Sequence, residues 1–169
     1  MKAPILTTDR LSLREATFRD AEFLFQLMNS PGWIEFIGDR GIKSMADAEN
    51  YISDRLIASY KQWGYGLYVV YQIANNLPIG LCGLVNRPTL PTVDLGFALL
   101  PAHEGKGYGT ESAREVLRWA KEELKLTPIL AITHPENIRS QALLERLGMQ
   151  FVEKKILEGG EEAVCIYEI

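Results

Sequence analysis

Three glycines stand at every second position between an apolar run and a helical pattern, in the segment GKGYG. Glycine leaves the backbone amides of a turn uncovered by side chains. The positive end of a helix dipole favours an anion at the same place. The pattern therefore predicts a phosphate seat at residues 105–110, with Lys106 as a cation at its rim, made of Gly105, Lys106, Gly107, Tyr108, Gly109 and Thr110. A tight turn that binds nothing is the alternative that spacing alone leaves open.

This spacing fits two common phosphate loops poorly. A Walker A loop requires Gly-Lys-Ser or Gly-Lys-Thr after four free positions, whereas Lys106 is followed by Gly107. A dinucleotide-binding turn places its glycines directly after the strand, whereas residues 101–104 intervene here. The segment therefore does not indicate an ATPase or a nucleotide-dependent dehydrogenase.

The elements around this turn follow from hydrophobic periodicity. Val93–Leu100 is an apolar strand that Pro101 ends, and a helix with its apolar face inward runs from the glycines to about Leu124. A strand follows at Ile129–Thr133, and a strand-helix-strand crossover makes it parallel to the first. The other predicted strands are Ile5–Glu15, Leu67–Ile73, Ile79–Val85, Phe151–Leu157 and Ala163–Ile169.

Three further helices are predicted by their caps. Thr17, Ser44 and Asn137 each stand directly before a helical pattern. The predicted inward residues of the second helix end at Trp63, and those of the third are Ile138, Ala142, Leu143 and Leu147. The sum is an α/β fold, a mixed and mostly antiparallel sheet with helices on both faces.

The aromatic segment Trp33–Gly41 has two interpretations. It is either a helical turn that covers the core or one wall of a substrate pocket. In the second case Trp33 and Phe36 give shape, and Glu35, Asp39 or Arg40 give polarity.

Composition bounds the function. The chain has 169 residues, of which 47% are hydrophobic and 24% charged, so residues 1–169 are expected to form a single domain. The net charge of −4 has no clustered basic stripe, which argues against nucleic acid as a partner. Cys82 and Cys165 lie in apolar runs and are expected to be buried free thiols. No leader or membrane-spanning run is evident, so we expect a cytoplasmic protein without a membrane partner.

The element order and three motifs resemble the GNAT family of N-acetyltransferases, most nearly the ribosomal-protein-alanine branch. The opening LTTDRLSLREAT is typical of that branch. The central motif of the family, Gln/Arg-x-x-Gly-x-Gly/Ala, falls on residues 104–109. A downstream motif falls on Asn137, Ser140 and residues 146–149. The likeness covers nearly the whole chain.

Two residues depart from the family pattern. Glu104 stands where the family usually has Gln or Arg, and its carboxylate would repel a pyrophosphate unless it turns away. Leu144 occupies the position at which many relatives have a tyrosine that protonates the thiolate. That role is therefore empty or belongs to another residue.

The resemblance implies acetyl-CoA as co-substrate and an amine as acceptor. Its pyrophosphate would lie on the amides of residues 105–110. Its pantetheine would lie between the two parallel strands and pair with the backbone of Phe97, Ala98 and Leu99. Asn137 and Ser140 would lie near the acetyl group and the sulfur, and Ser140 would hydrogen-bond the leaving thiolate. The resemblance implies no metal, and no Ser-His-Asp, cysteine or metal-ligand spacing indicates a covalent or metal mechanism.

An ammonium group has no lone pair, so a base is expected. Asp94 is favoured, with Glu35 and His134 as alternatives, and the residues expected to bind the acceptor are Trp33, Glu35, Phe36 and His134. The expected acceptor is the α-amino group of a protein or peptide. A small-molecule amine and a non-catalytic acyl-CoA-binding module are the alternatives. The chain is expected to be a monomer or a homodimer.

Overall fold

A twisted eight-stranded sheet runs through the computed structural model, which describes residues 2–169. Its spatial order is β1-β2-β3-β4-β5-β6-β8-β7. Every neighbouring pair is antiparallel except β5 and β6, which are parallel. The strands are β1 (Leu6–Thr7), β2 (Leu11–Arg14), β3 (Leu67–Gln72), β4 (Pro78–Val85), β5 (Asp94–Leu99), β6 (Leu130–Thr133), β7 (Gln150–Ile156) and β8 (Ala163–Glu168). The predicted mixed, mostly antiparallel sheet is confirmed.

Helices cover both faces of this sheet. They are α1 (Ala21–Met28), α2 (Pro31–Phe36), α3 (Met45–Tyr51), a π-helical segment (Ile52–Ile57) that continues α3, α4 (Ala58–Trp63), α5 (Tyr108–Glu122) and α6 (Ile138–Arg146). Alternate residues of β3 separate the two cores, as the two-residue period of a strand requires. Tyr68 and Val70 pack in the core that contains α5. Val69 and Tyr71 pack with α1, α2 and α3.

The predicted caps are present at all three helices. The Ser44 hydroxyl accepts a hydrogen bond from the Asp47 amide at 3.1 Å, and the Asn137 side chain accepts one from the Ser140 amide at 3.1 Å. Thr17 and Asp20 form a capping box around a short 3-10 turn that leads into α1. Gly148, at φ +86°, follows the end of α6, as predicted. Cys82 and Cys165 are buried and free.

Two predictions of local structure are wrong. The single strand at Ile5–Glu15 is a hairpin, because the chain reverses between β1 and β2 and pairs Leu6 with Leu13. The third capped helix does not bury Ile138, which is 67% exposed, or Ala142. Its inward stripe is centred instead on Leu144, which is 0% exposed.

Trp63 is also misassigned. The indole is 48% exposed instead of facing the core, whereas Ile52 and Leu56 are buried as predicted. The π-helical segment Ile52–Ile57 precedes the helical turn that contains Trp63. Its wider turns rotate the residues that follow away from the positions that a 3.6-residue period predicts.

Gly83 is required by close packing of two backbones. A Cβ atom at this position would lie 2.0 Å from the carbonyl oxygen of Gly66, which the sheet holds in place. We expect Gly83→Ala to lower the free energy of unfolding by about 2 kcal/mol or more, measured by urea denaturation. Gly32→Ala is the matched control, because a Cβ there meets nothing within 4 Å, and its stability should stay equal or rise slightly. Equal stability of both variants would show that the β4 backbone yields easily.

Candidate functional site

Strands β5 and β6 separate almost as soon as they begin. Within residues 2–169 their single register pair is Asp94 with Leu130, supported by a hydrogen bond of 3.0 Å from the Leu130 amide to the Val93 carbonyl. Beyond this pair the facing edges of the two strands have no partner in the sheet. Backbone donors and acceptors at such edges bind other extended polar chains. The opening predicted between the two strands is therefore present.

A cavity of about 600 Å³ lies at this opening, within the range of ligand-binding cavities. The strands contribute residues 94–98 of β5 and residues 132–134 at the end of β6. Asn137 and Ser140 of α6 line it near His134. The opposite wall comes from α2, the end of α3, the π-helical segment and α4, with Trp33, Phe36, Arg40, Tyr51, Asp54, Arg55, Ser59 and Trp63 among its residues.

Asp94 is a buried carboxylate in the wall of this cavity. It is 1% exposed, and the guanidinium nitrogen Nε of Arg87 donates to both of its oxygens, at 3.0 and 3.1 Å. Burial raises the pKa of Asp94 to about 6, because desolvation of the charged form outweighs the attraction of Arg87. A carboxyl group with this pKa is ionised at neutral pH and still basic enough to accept a proton.

Asn137, Ser140 and His134 meet at the end of β6. The Asn137 side chain is occupied by the Ser140 amide, so it acts as a helix cap. The Ser140 hydroxyl makes no hydrogen bond within residues 2–169, although it lines the cavity. His134 accepts a hydrogen bond from the Glu136 amide on Nδ1, at 3.1 Å, and its ring lies 5.7 Å from that of Phe36. The Nε2 atom of His134 lies 3.5 Å from a carboxylate oxygen of Glu162, so both ring nitrogens have a polar neighbour.

The glycine turn displays a row of free amides. Gly105 and Gly107 have φ of +73° and +82°, which bends the chain into the first residue of α5, Tyr108. The Glu111 amide donates to the Gly107 carbonyl at 3.0 Å, and among the described residues no acceptor is bound by the amides of residues 105–110. Six free amides at the N-terminus of a 15-residue helix form an anion site.

Arg10 fixes the shape of this turn from outside. Its guanidinium lies 4.4 Å from the centre of the Tyr108 ring and donates to the Lys106 carbonyl at 3.0 Å. Glu111 ties Arg10 to the helix through a 2.6 Å hydrogen bond from Nε. Burial disfavours ionisation of Glu111, but hydrogen bonds from Thr8 and Arg10 outweigh it and lower its pKa. The N-terminal hairpin therefore supports the turn.

The carboxylate of Glu104 is neutralised by a residue of α6. Its Oε2 atom lies 2.9 Å from Nη1 of Arg139, and both side chains are partly exposed. The guanidinium also stands beside the turn, because a Cβ at Gly105 would lie 3.7 Å from Nη2. Arg139 thus brings a cation to the edge of the turn where Glu104 lies.

The predicted site residues fall into two groups. The cavity wall includes Trp33, Phe36, Asp94, Phe97, Ala98, His134, Asn137 and Ser140. The glycine turn, residues 105–110, lies outside the cavity, beyond the end of β5. Leu99 packs against the core next to the turn, and a Cβ at Gly109 would lie 3.7 Å from it. Glu35 is exposed and is not among the residues that line the cavity.

Sequence reasoning missed the basic residues of the site. Arg55 and Arg87 line the cavity, and Arg10 and Arg139 flank the glycine turn. Arg10 is part of the opening motif LTTDRLSLREAT, but the motif does not indicate that it reaches the glycine turn. The others are not motif residues, and only the fold brings them to the site.

Two classes of site are not found in the described part of the chain. No group of three or more His, Cys, Asp or Glu side chains in residues 2–169 has the geometry to hold a metal ion. None of the helices in the same range has the length and apolar character needed to cross a membrane.

Known proteins resemble this chain over most of its length. Residues 10–150 match the family model described as "Acetyltransferase (GNAT) domain". A Bacillus subtilis (strain 168) protein named uncharacterized N-acetyltransferase YnaD is 25% identical over 159 residues, which cover 92% of this chain and 90% of that protein.

Solved structures have the same architecture. An acetyltransferase from Agrobacterium tumefaciens superposes with a TM-score of 0.84 at 27% identity, over 100% of this chain and 95% of that one. A ribosomal-protein alpha-N-acetyltransferase in complex with coenzyme A has a TM-score of 0.82 at 17% identity, over 99% of this chain and 97% of that one, which is a likeness of fold. With the family model matched over residues 10–150, this chain belongs to the GNAT family of N-acetyltransferases.

Proposed function

We propose that this N-acetyltransferase transfers acetyl from acetyl-CoA to an α-amino group by direct attack, with both substrates bound in the opening between β5 and β6. The observation that carries the proposal is that the features needed for acetyl transfer lie along a single strand, β5. The opening has the free amides of residues 105–110 beyond one end of β5 and the buried carboxylate of Asp94 at the other end.

The described residues fit coenzyme A. The free amides at the N-terminus of α5 suit a pyrophosphate, and Lys106 and Arg139 add positive charge beside them. A Cβ at Gly107 would fill part of this cradle, 3.3 Å from Arg10. The unpaired edges of Phe97, Ala98 and Leu99 suit the amides of pantetheine. Bound there, acetyl-CoA supplies an activated acyl group and a thiolate leaving group.

Asp94 is proposed to take the proton from the attacking amine. It lines the cavity, and its pKa of about 6 keeps it ionised at neutral pH. Arg87 holds both carboxylate oxygens and so fixes their direction. The Ser140 hydroxyl, which makes no hydrogen bond within residues 2–169, is proposed to donate to the leaving thiolate. Asn137 sets the position of Ser140 by capping α6.

The acceptor is proposed to be the α-amino group of a protein, a peptide or a small molecule. Ribosomal-protein acetyltransferases among the structural neighbours support the first source as an analogy of fold. A purely cationic acceptor has little support, because neither Glu35 nor Asp39 lines the cavity, and Asp39 pairs with Lys43 at 3.0 Å.

The first prediction concerns the phosphate seat. Gly107→Val should weaken acetyl-CoA binding by tenfold or more, because Gly107 has φ of +82° and its Cβ would approach Arg10. Isothermal calorimetry measures the dissociation constant. Gly159→Val is the control, since Gly159 has a similar φ of +76° at a hairpin tip with open space around it. Normal binding by a folded Gly107→Val protein would place the phosphates elsewhere.

The second prediction concerns Glu104. Arg139→Gln should weaken acetyl-CoA binding roughly three- to tenfold, because it removes a cation and leaves the Glu104 carboxylate unpaired beside the phosphates. The double variant Glu104→Gln with Arg139→Gln should recover part of the loss. A double-mutant cycle of dissociation constants at two salt concentrations measures the coupling. Additive effects of the two changes would show that the pairing of Glu104 with Arg139 does not affect acetyl-CoA binding.

The third prediction concerns the base. Asp94→Asn should lower kcat by about 10²–10⁴-fold with little change in acetyl-CoA affinity, because the amine loses its proton acceptor. The Asp94 carboxyl, with its pKa of about 6, is protonated below that pH, so the rate falls on the acidic side. This fall in rate at acidic pH adds to the fall caused by protonation of the amine, and it should disappear from the pH profile of Asp94→Asn. Asp39→Asn, at an exposed acid outside the cavity, is the control. An unchanged pH profile in Asp94→Asn would assign the base elsewhere.

A further inference from the structure

Three arginines are among the residues that line the cavity. Arg40 follows α2, Arg55 lies in the π-helical segment and Arg87 follows β4. The only carboxylates among the lining residues are those of Asp54 and Asp94. The cavity thus has an excess of positive charge, although the whole chain has a net charge of −4. Positive charge concentrated in a cleft of an acidic protein favours an anionic ligand there.

The charges of the three arginines all act on one residue of the cavity wall. Tyr51, which lines the same cavity, has its pKa raised by burial, while the charges of Arg40, Arg55 and Arg87 all act to lower it. All three arginines are therefore within electrostatic range of one phenol. The π-helical segment, whose wider turns are often found at functional sites, places Arg55 on this wall.

Two of these arginines have no acidic partner. Arg87 is bound to Asp94, whereas Arg40 and Arg55 form no ion pair or side-chain hydrogen bond within residues 2–169. The indole N–H of Trp33, in the same wall, is also buried without a hydrogen-bond partner. An arginine fork binds carboxylate and phosphate oxygens in pairs, and the exposed side chains of Arg40 and Arg55 are free to bind such a group.

This group is separate from the phosphate seat of the cofactor. Arg87 follows the end of β4, where Val85 pairs with Asp94, the first residue of β5. The glycine turn follows the other end of β5, after Leu99. A strand of this length spans about 17 Å at roughly 3.3 Å per residue. Arg87, which lines the cavity with Arg40 and Arg55, and the glycine turn therefore lie at opposite ends of β5.

We propose that Arg40 and Arg55 bind a carboxylate or phosphate of the acceptor, close to the amine that is acetylated. This inference rests on the proposed function. It selects acceptors such as a free amino acid, an amino phosphate or a peptide whose N-terminal residue is acidic. A neutral or purely cationic amine lacks the group that the wall binds.

Matched acceptor pairs test this inference by the initial rate of CoA release. The pairs are L-phenylalanine with L-phenylalaninamide, O-phosphoethanolamine with ethanolamine, and Glu-Ala amide with Gln-Ala amide, each rate corrected for the fraction of neutral amine. We expect kcat/KM to be at least tenfold higher for the anionic member of at least one pair. The pair that shows the preference identifies whether the anion is an α-carboxylate, a phosphate or an acidic side chain.

Arg40→Gln and Arg55→Gln should each reduce that preference several-fold and leave the acetyl-CoA dissociation constant unchanged. Arg114→Gln is the matched control, because Arg114 is exposed on α5 and does not line the cavity. Equal rates within all pairs, a preference that survives both changes, or reaction of neutral amines alone would overturn the inference while the proposed function stands. Absence of acetyl-CoA binding and of turnover with every amine would instead contradict the proposed function.

Discussion

The early parting of β5 and β6 is the constraint on which the rest of the site depends. Their single register pair, Asp94 with Leu130, keeps the two strands in one sheet, and β6 remains in place because it pairs fully with β8 on its other side. The facing edges are left without sheet partners. Their backbone groups can pair with water or with an extended polar ligand such as pantetheine. The same parting brings Asp94 and the start of α6 to the wall of one cavity.

Charge is arranged unevenly around this opening. The chain is acidic as a whole, but guanidinium groups stand at both ends of β5, from Arg10 and Arg139 beside the glycine turn and from Arg87 beside Asp94. The first two lie beside the proposed phosphate seat. Arg87 holds the proposed base in one orientation without abolishing its high pKa. Glu104, which would repel a pyrophosphate if it were unpaired, and Asp94, the proposed base, are therefore each paired with one arginine.

Local signals in the sequence predicted most of the fold. The caps at Ser44 and Asn137, the glycines of the turn and the crossover from β5 to β6 depend on residues close together in the chain, so the pattern contains them. The errors arise where tertiary packing, and not the local sequence, determines which residues are buried. Leu144 is buried in place of Ala142 because the core selects the face of α6, and no hydrophobic pattern predicts a π-helical segment.

The residues of the candidate site also divide into those that local sequence indicates and those that only the fold brings together. Asp94, Asn137 and Ser140, which line the cavity, stand at strand and helix ends or in motifs, and Phe97 was expected there from the family resemblance. The ion pair of Glu104 with Arg139 joins residues 35 positions apart, and the three arginines that line the cavity come from separate parts of the chain. Such partners carry no mark in the sequence, since only the fold brings them together.

The most direct test of this account is a crystal structure of the protein with coenzyme A bound. We predict the pyrophosphate on the amides of residues 105–110 and the pantetheine between Phe97–Leu99 and the end of β6, with the sulfur at the cavity that Asp94 and Ser140 line. Coenzyme A bound outside the opening, or with its phosphates at Arg40 and Arg55, would contradict it.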